Sequence, residues 1–290
     1  PPRSTLFPYT TLFRSIAMLC LVPTPIGNLE DISKRSLEAL LEAELIFCED
    51  TRVTKKLLNL LAEKYSLDFS QKEFKSFHSH NEKEILKSLT KDTFTKNVVY
   101  CSDAGMPCIS DPGASLVDWC IQNEVPYDVI PGANAILTAF AMSGFSSTEF
   151  TFFGFLDHKG TSRASKLEEV LNSSRVGILY ESPHRLLKLL EELNKKEPDR
   201  TIFLVKEISK FYQKTYKNSA KNLYEELKSI EIKGEWVVVV EPKEKFGFNL
   251  ELDDILPLDI APKIKVKLIA KLTGASVKEI YQELLDKIQN

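Results

Sequence analysis

From Met18 onward, short apolar runs alternate with segments whose apolar residues recur at helical spacing. Residues 19–22, 45–48, 98–101 and 129–130 read as strands, and 33–41, 54–61, 82–89 and 114–122 as the helices between them. That alternation predicts a parallel sheet covered by helices. After Pro131-Gly132 the character changes. A helix over 133–142 leads to the aromatic strand FTFFGFL, a helix around 165–171, the strand VGILYE and a helix over 185–193. Three further strands, TIFLVKEI, FYQKTYK and EWVVVVE, follow with one helix among them, which predicts a second α/β domain built on a mixed sheet. The expected domains are therefore 18–130 and 131–243. A linker (FGFNLELDDILPLD, 246–259) and two short amphipathic helices around Thr273-Gly274-Ala275 fill 244–290, with helix-turn-helix spacing.

Composition narrows the class. With 290 residues, 43% of them hydrophobic and 27% charged, the chain has the balance of a soluble globular protein. A net charge of -3 offers no global attraction to nucleic acid, so RNA recognition requires a local basic face. The five cysteines are scattered without a C-x-x-C pair and read as free thiols of a cytoplasmic protein, with no zinc. No apolar run approaches the ~20 residues of a membrane span, so no membrane partner is expected. Residues 1–17 repeat Thr-Leu-Phe, contain neither acid nor lysine, and read as a translated adapter. We expect a disordered, non-native stub there, with the natural protein starting at Met18.

Candidate chemistry gathers where strands end. SDAGMPCISDPG, residues 102–113, follows a strand and precedes a helix, the position at which α/β folds bind ligands. Its glycines permit close backbone approach, its prolines restrict the loop, and Ser and Asp supply hydrogen-bonding groups. An ordinary loop capped by Asp111 is the plainer alternative. Neither G-x-G-x-x-G nor a P-loop is present, which disfavours nicotinamide binding and nucleotide hydrolysis. The first strand runs into VPTPIGNLEDIS and the second ends in CEDTR, where Glu49, Asp50 and Arg52 can pair, hold a phosphate or supply a base. FHSHNE places His78 and His80 near Glu82, too few groups for a metal site, and reads as a helix cap. In KEISKFYQKTYKNSAKNLYEELK, six lysines outnumber three glutamates, with Phe211, Tyr212 and Tyr216 interleaved. This is either an RNA contact through Lys210, Lys214 and stacking rings, or core aromatics on a basic strand. Lys159 and Arg163 of DHKGTSR are a second candidate phosphate contact. The C-terminal lysines are offset by acids, which argues against a DNA reader.

PTPIGNLEDIS, EDTR, SDAGMPCISDPG, PGANA, GFLDHKGTSR, ESPHR and KEISK occur in this order and resemble the ribosomal RNA small subunit methyltransferase I family of the tetrapyrrole methylase superfamily. The resemblance spans about residues 19–241, and LPL with AKLTGASVKEIYQELL resembles the family's C-terminal extension. It implies two α/β domains of the tetrapyrrole methylase type with the cofactor cleft between them, plus a small helical C-terminal extension. It further implies S-adenosylmethionine-dependent 2′-O-methylation of a cytidine ribose in the decoding centre of 16S rRNA, by a homodimer acting on rRNA within the 30S subunit. Carried over residue by residue, Pro25, Asp103, Ala104, Gly105, Ile109, Ser110, Ala133, Leu156 and Tyr180 would hold the cofactor. Met106, Asp157 and KEIS depart from the usual Thr, Pro and Arg-Glu-Leu-Thr. A ribose hydroxyl needs a base, for which Glu49, Asp50, Glu181 and His184 are the candidates, while Arg52 and Arg185 suit phosphate. A tetrapyrrole-type small-molecule methyltransferase and a non-catalytic RNA-binding assembly factor are the alternatives, since one fold hosts many activities.

Overall fold

The computed structural model describes residues 18–243, 252–278 and 280–281. The expected stub at 1–17 and the first part of the expected linker lie outside the described residues. Among the described residues, those up to Pro242 form one compact unit and those from Lys243 onward a second.

The first half of the larger unit carries strands β1 (Leu19–Leu21), β2 (Leu45–Cys48), β3 (Glu73–Ser76), β4 (Val98–Cys101) and β5 (Tyr127–Val129). They form a five-stranded sheet in the order β3-β2-β4-β1-β5, and every pairing is parallel. Helices α1 (Lys34–Glu42), α2 (Thr51–Tyr65), α3 (Glu82–Ser88) and α4 (Gly113–Gln122) make the crossovers. Because side chains alternate across a strand, Ile46, Cys48, Val99 and Cys101 pack on one face with α1 and α2. Leu45, Phe47, Val98 and Tyr100 pack on the other against Leu116 and Cys120 of α4. Both faces are covered, which is why these strands read as unbroken apolar runs. β3 was not visible as a strand in the sequence. It is an edge strand, EFKS, whose residues alternate between exposed and half-buried, so it carries no apolar run to detect.

The second half carries α5 (Ala135–Ser143), β6 (Phe150–Phe155), α6 (Gly160–Asn172), β7 (Val176–Glu181), α7 (Pro183–Lys196), β8 (Thr201–Lys206), β9 (Lys214–Ser219), α8 (Ala220–Leu227) and β10 (Trp236–Val240). Its sheet has the order β6-β7-β10-β8-β9. β6 and β7 are parallel and the remaining pairs antiparallel, the mixed sheet expected from sequence. Ile136 and Ala139 of α5 cover one face with Val176, Ile178, Val205 and Val239. Leu167, Leu189, Leu193 and Leu223 of α6, α7 and α8 cover the other. The strand read from FYQKTYK begins only at Lys214, and Phe211 and Tyr212 lie in the turn before it.

In the C-terminal unit, α9 (Leu252–Ile255) and α10 (Pro262–Thr273) bury Ile255, Val266 and Ile269 together. α10 closes on Gly274, whose φ of +76° is the left-handed geometry that glycine adopts without strain. Among the described residues, no helix is long and apolar enough to cross a membrane.

Candidate functional site

β2 and β4 are neighbours, so the two loops leaving their carboxyl ends, CEDTR and SDAGMPCISDPG, lie side by side. They are tied reciprocally. The Asp103 amide donates to Glu49 Oε1 at 2.9 Å, and the Asp50 amide donates to Asp103 Oδ1 at 3.1 Å. Asp111 shapes the rest of the loop: its Oδ1 accepts from the Tyr100 hydroxyl at 2.7 Å, the Cys108 amide at 3.0 Å and the Gly113 amide at 2.9 Å. It therefore ties the loop together from the end of β4 to Gly113, the first residue of α4, whose N-cap is Pro112 and not Asp111. Gly105 has φ +82° and exchanges two backbone hydrogen bonds with Thr24, at 3.0 and 3.1 Å, which joins the loop to the turn after β1. A Cβ there would lie 2.9 Å from Ile26 Cγ2, so the position requires glycine on both counts.

These loops floor a cleft against the second sheet. A pocket of about 480 Å³, counting space open to solvent, is lined by Glu49, Gly105, Met106, Ile109, Ser110 and Asn134. It adjoins a larger opening of about 1210 Å³, counting space open to solvent, whose walls include Asp103, Phe155, Tyr180, Ile208, Trp236 and Val237. Ile26, Ala104, Ser110, Ala135 and Tyr180 border both. One wall is thus polar loop backbone and carboxylate, the other aromatic and aliphatic side chains.

Among the described residues, the two floor carboxylates have no cationic partner. Burial pushes Glu49 above its ordinary value, and the neighbouring Asp103 and Asp111 charges add to this against the opposing hydrogen bond from the Asp103 amide. Burial raises Asp103 as well, with the Asp50 charge in support. Asp50 differs. The Arg52 guanidinium holds it down at about 2, with Nη2 to Oδ2 at 2.6 Å, and its Oδ1 caps α2 through the Arg52 amide. Burial also lifts the Tyr180 hydroxyl to about 12, so it stays a neutral donor.

Of the nine residues carried over for the cofactor, Asp103, Ala104, Gly105, Ile109, Ser110 and Tyr180 line the cleft. Ala133 does not line it; its carbonyl lies 3.4 Å from where a Cβ on Gly105 would stand, and its neighbours Asn134 and Ala135 supply the lining. Pro25 sits in the turn before Ile26, and Ile26 supplies the lining side chain. Leu156 is only 2% exposed and packs with Leu167 and Leu186 beneath the second sheet; the lining residue there is its neighbour Phe155. Ile26, Asn134, Ala135, Phe155, Trp236 and Val237 were missed from sequence. Asn134 had a signal, as the cap of α5 following Pro131-Gly132. The others are apolar residues with nothing to separate a wall from a core.

The base candidates separate. Glu49 lines the cleft and His184 is exposed on the first turn of α7. Glu181 borders the larger opening, but its side chain is fully buried between two guanidinium groups, with Arg185 Nη2 2.8 Å from Oε1 and Arg163 Nη1 3.9 Å from Oε2. Burial raises its pKa, while Ser182 NH and both arginines oppose the rise.

Arg163 corrects the sequence reading. It is 3% exposed, donates to both oxygens of Glu192 at 2.7–3.1 Å and to the Asp157 carbonyl at 2.9 Å, and has no surface to offer a phosphate. Arg185 is likewise turned inward, donating to the Leu156 carbonyl at 2.8 Å and to Ser182. Lys159 and Lys214 are exposed, as is Arg52 beside Asp50, while Lys210 bridges Glu207 and Glu235 at 3.1 and 2.9 Å. Asn81 precedes α3 without capping it; its side chain accepts from the His78 amide instead. Among the described residues no group of three or more His, Cys, Asp or Glu is placed to hold a metal ion. The five thiols are free, and burial raises Cys20, Cys108 and Cys120 to about 12.

Comparison with known proteins agrees with this architecture. Residues 18–224 match the family described as Tetrapyrrole (Corrin/Porphyrin) Methylases. The chain is 48% identical over 270 residues to a ribosomal RNA small subunit methyltransferase I of Campylobacter fetus, covering 92% of this chain and 100% of the relative. It is 42% identical over 284 residues to the protein of that name from Helicobacter pylori, covering 93% and 99%. Among solved structures, diphthine synthase superposes with a TM-score of 0.58 at 17% identity, over 77% of this chain and 89% of that one. Uroporphyrin-III C-methyltransferase of Thermus thermophilus, solved with S-adenosyl homocysteine, gives 0.53 at 15%, over 77% and 97%. At such identities the structural likeness establishes the fold, and the sequence relatives establish more: the chain belongs to the ribosomal RNA small subunit methyltransferase I family of tetrapyrrole methylases.

Proposed function

We propose that this protein transfers a methyl group from S-adenosylmethionine to the 2′-oxygen of a cytidine ribose in the decoding centre of 16S rRNA, within the 30S subunit. The observation that carries the reading is the floor of the cleft, where Glu49 and Asp103 stand without a cation beside a glycine-dependent loop and under an apolar wall. A donor that is cationic at sulfur, with an aromatic base and polar hydroxyls, matches each of these surfaces. Asp103, Ala104, Gly105, Ile109, Ser110 and Tyr180 would hold it, with Ile26, Asn134 and Ala135 completing the pocket. When bound, the sulfonium supplies an already activated methyl group, so the protein's task is alignment and removal of one proton.

Glu49 is the base the geometry favours. It faces the smaller pocket, and its raised pKa makes its carboxylate a stronger proton acceptor than an ordinary one. Asp50 is a weaker acceptor because Arg52 holds it as an anion. Glu181 supports the site from behind: with Arg163 and Arg185 it ties the end of β7 to α6, α7 and the Phe155-Leu156 corner. Homodimer formation and a cytoplasmic location belong to the same proposal.

The test is transfer of labelled methyl to 30S subunits from a strain lacking the modification, with the nucleotide mapped and Asp103→Ala run alongside. Label on one cytidine 2′-oxygen, lost in the variant, is the expected result. Label elsewhere on the RNA would retire the cytidine assignment. Donor binding with no label on the subunit would redirect the search to small-molecule acceptors, and absence of donor binding would leave an RNA-binding assembly factor.

A further inference from the structure

Phe211 and Tyr212 are 93% and 73% exposed, the most exposed large apolar side chains among the described residues. Neither ring contributes burial to the fold, yet the turn that carries them is strongly built. Glu207 and Ser209 both adopt φ in the left-handed region, at 54° and 66°, a conformation costly to residues with a Cβ. Three sets of contacts hold it. The Lys210 amide donates to the Glu207 carbonyl and the Gln213 amide to the Lys210 carbonyl, both at 3.0 Å. The Ser209 amide donates to Gln213 Oε1 at 2.7 Å, and Lys210 Nζ reaches Glu207 and Glu235. The Ser209 hydroxyl donates to Asp31, which locks the turn against the segment that follows β1. Gly27 lies so close below it that a Cβ would stand 2.8 Å from the Ile208 carbonyl and 2.3 Å from Lys210 Cγ.

The result is a rigid apex with two rings 5.0 Å apart and at 89°, so that each presents a face the other does not cover. It stands at the mouth of the cleft, because Ile208, three residues before Phe211, and Glu235, bonded to Lys210, both line the larger opening. Around the turn Lys206, Lys210, Lys214 and Lys217 stand against two carboxylates, Glu207 and Glu235, so the flank is net cationic. Tyr216, which shares the same sequence motif, is 8% exposed and stacks on Trp236 in the core, which removes it from the surface.

Resting on the functional reading above, we infer that Phe211 and Tyr212 form a stacking platform for RNA bases beside the target nucleotide. A ribose reaches a recessed cleft only when its nucleotide leaves the stack, and an aromatic surface at the mouth replaces the lost stacking for the bases left behind. Lys214 serves the adjoining phosphate.

Methyl transfer to 30S subunits and equilibrium binding of the subunit are measured for wild type, Phe211→Ala/Tyr212→Ala, Phe211→Trp/Tyr212→Phe and Lys214→Ala, with donor affinity and sedimentation of each. The double alanine variant is expected to weaken subunit binding and raise KM by about 10- to 100-fold, as loss of base stacking does, with donor affinity unchanged. The aromatic replacements retain affinity. Lys214→Ala flattens the salt dependence, and the double alanine variant leaves it as in wild type. Unchanged KM and binding in the double alanine variant would overturn the inference and leave the methyltransferase reading standing. A lower sedimentation coefficient with RNA affinity intact would overturn it in favour of contact with a second copy. Wild-type protein that binds donor and labels no RNA would remove the functional reading itself, and the platform with it.

Discussion

As the proposed base, Glu49 combines two demands that pull against each other: proton acceptance requires it to ionise, and burial at the carboxyl end of β2 disfavours that charge. Its folded pKa lies above the ordinary value of 4.5, so the folded state holds its proton more tightly than the unfolded chain. By linkage the ionised group destabilises the fold at neutral pH, and this cost disappears as pH falls through the raised pKa toward the unfolded value. Glu49→Gln keeps an acceptor for the Asp103 amide and removes the charge. We expect its melting temperature to exceed that of wild type at pH 7, the difference closing below about pH 4.5, while methyl transfer drops by about 10²–10⁴-fold. Calorimetry at both pH values with single-turnover kinetics checks both halves. A variant less stable than wild type at pH 7 would show that the carboxylate has a cationic partner in solution.

Local chemistry accounts well for where elements start. Ser33, Asp50, Asn134 and Ser219 each accept a hydrogen bond from the first turn of the helix they precede, and each was a polar residue before an apolar-periodic segment. Asn134 both caps α5 and lines the smaller pocket, its Oδ1 accepting from the Leu137 amide at 3.0 Å. Asn134→Ala should cost about 1 kcal/mol in denaturant unfolding and Asn134→Gly only a few tenths, the signature of a lost cap. An equal loss in both variants would mean that the side chain is held by cleft contacts and not by the helix. Where an element lacks a local signal it was missed: β3 exists because β2 offers it a free edge, and Glu73-Phe74-Lys75-Ser76 alone does not specify a strand.

At the scale of the whole molecule, burial reassigns charged groups that sequence could only count. Arg163 stands in the same stretch as Lys159, and the two were indistinguishable as phosphate contacts. The fold leaves one exposed and closes the other around Glu192, Glu181 and the Asp157 carbonyl. Arg163→Ala is expected to destabilise by about 3 kcal/mol, since it leaves Glu192 without its guanidinium partner and Glu181 with Arg185 alone. The folded fraction should still bind the 30S subunit with wild-type affinity. Urea midpoints and subunit binding of the same preparation test both statements, and weaker binding without loss of stability would return Arg163 to the RNA surface.

The sequence by itself determined the α/β alternation, the mixed second sheet, the family and the loop at 102–113, because periodicity, turn residues and ordered motifs are local properties. Only the tertiary structure decided which carboxylates floor the cleft, which arginines are turned inward into ion pairs, and that Phe155 rather than Leu156 forms its wall. Those distinctions depend on burial and on neighbours far apart in the chain. Glu49 and Asp103 meet because β2 and β4 pair, and Arg163 and Glu192 because α6 and α7 share one face of the second sheet.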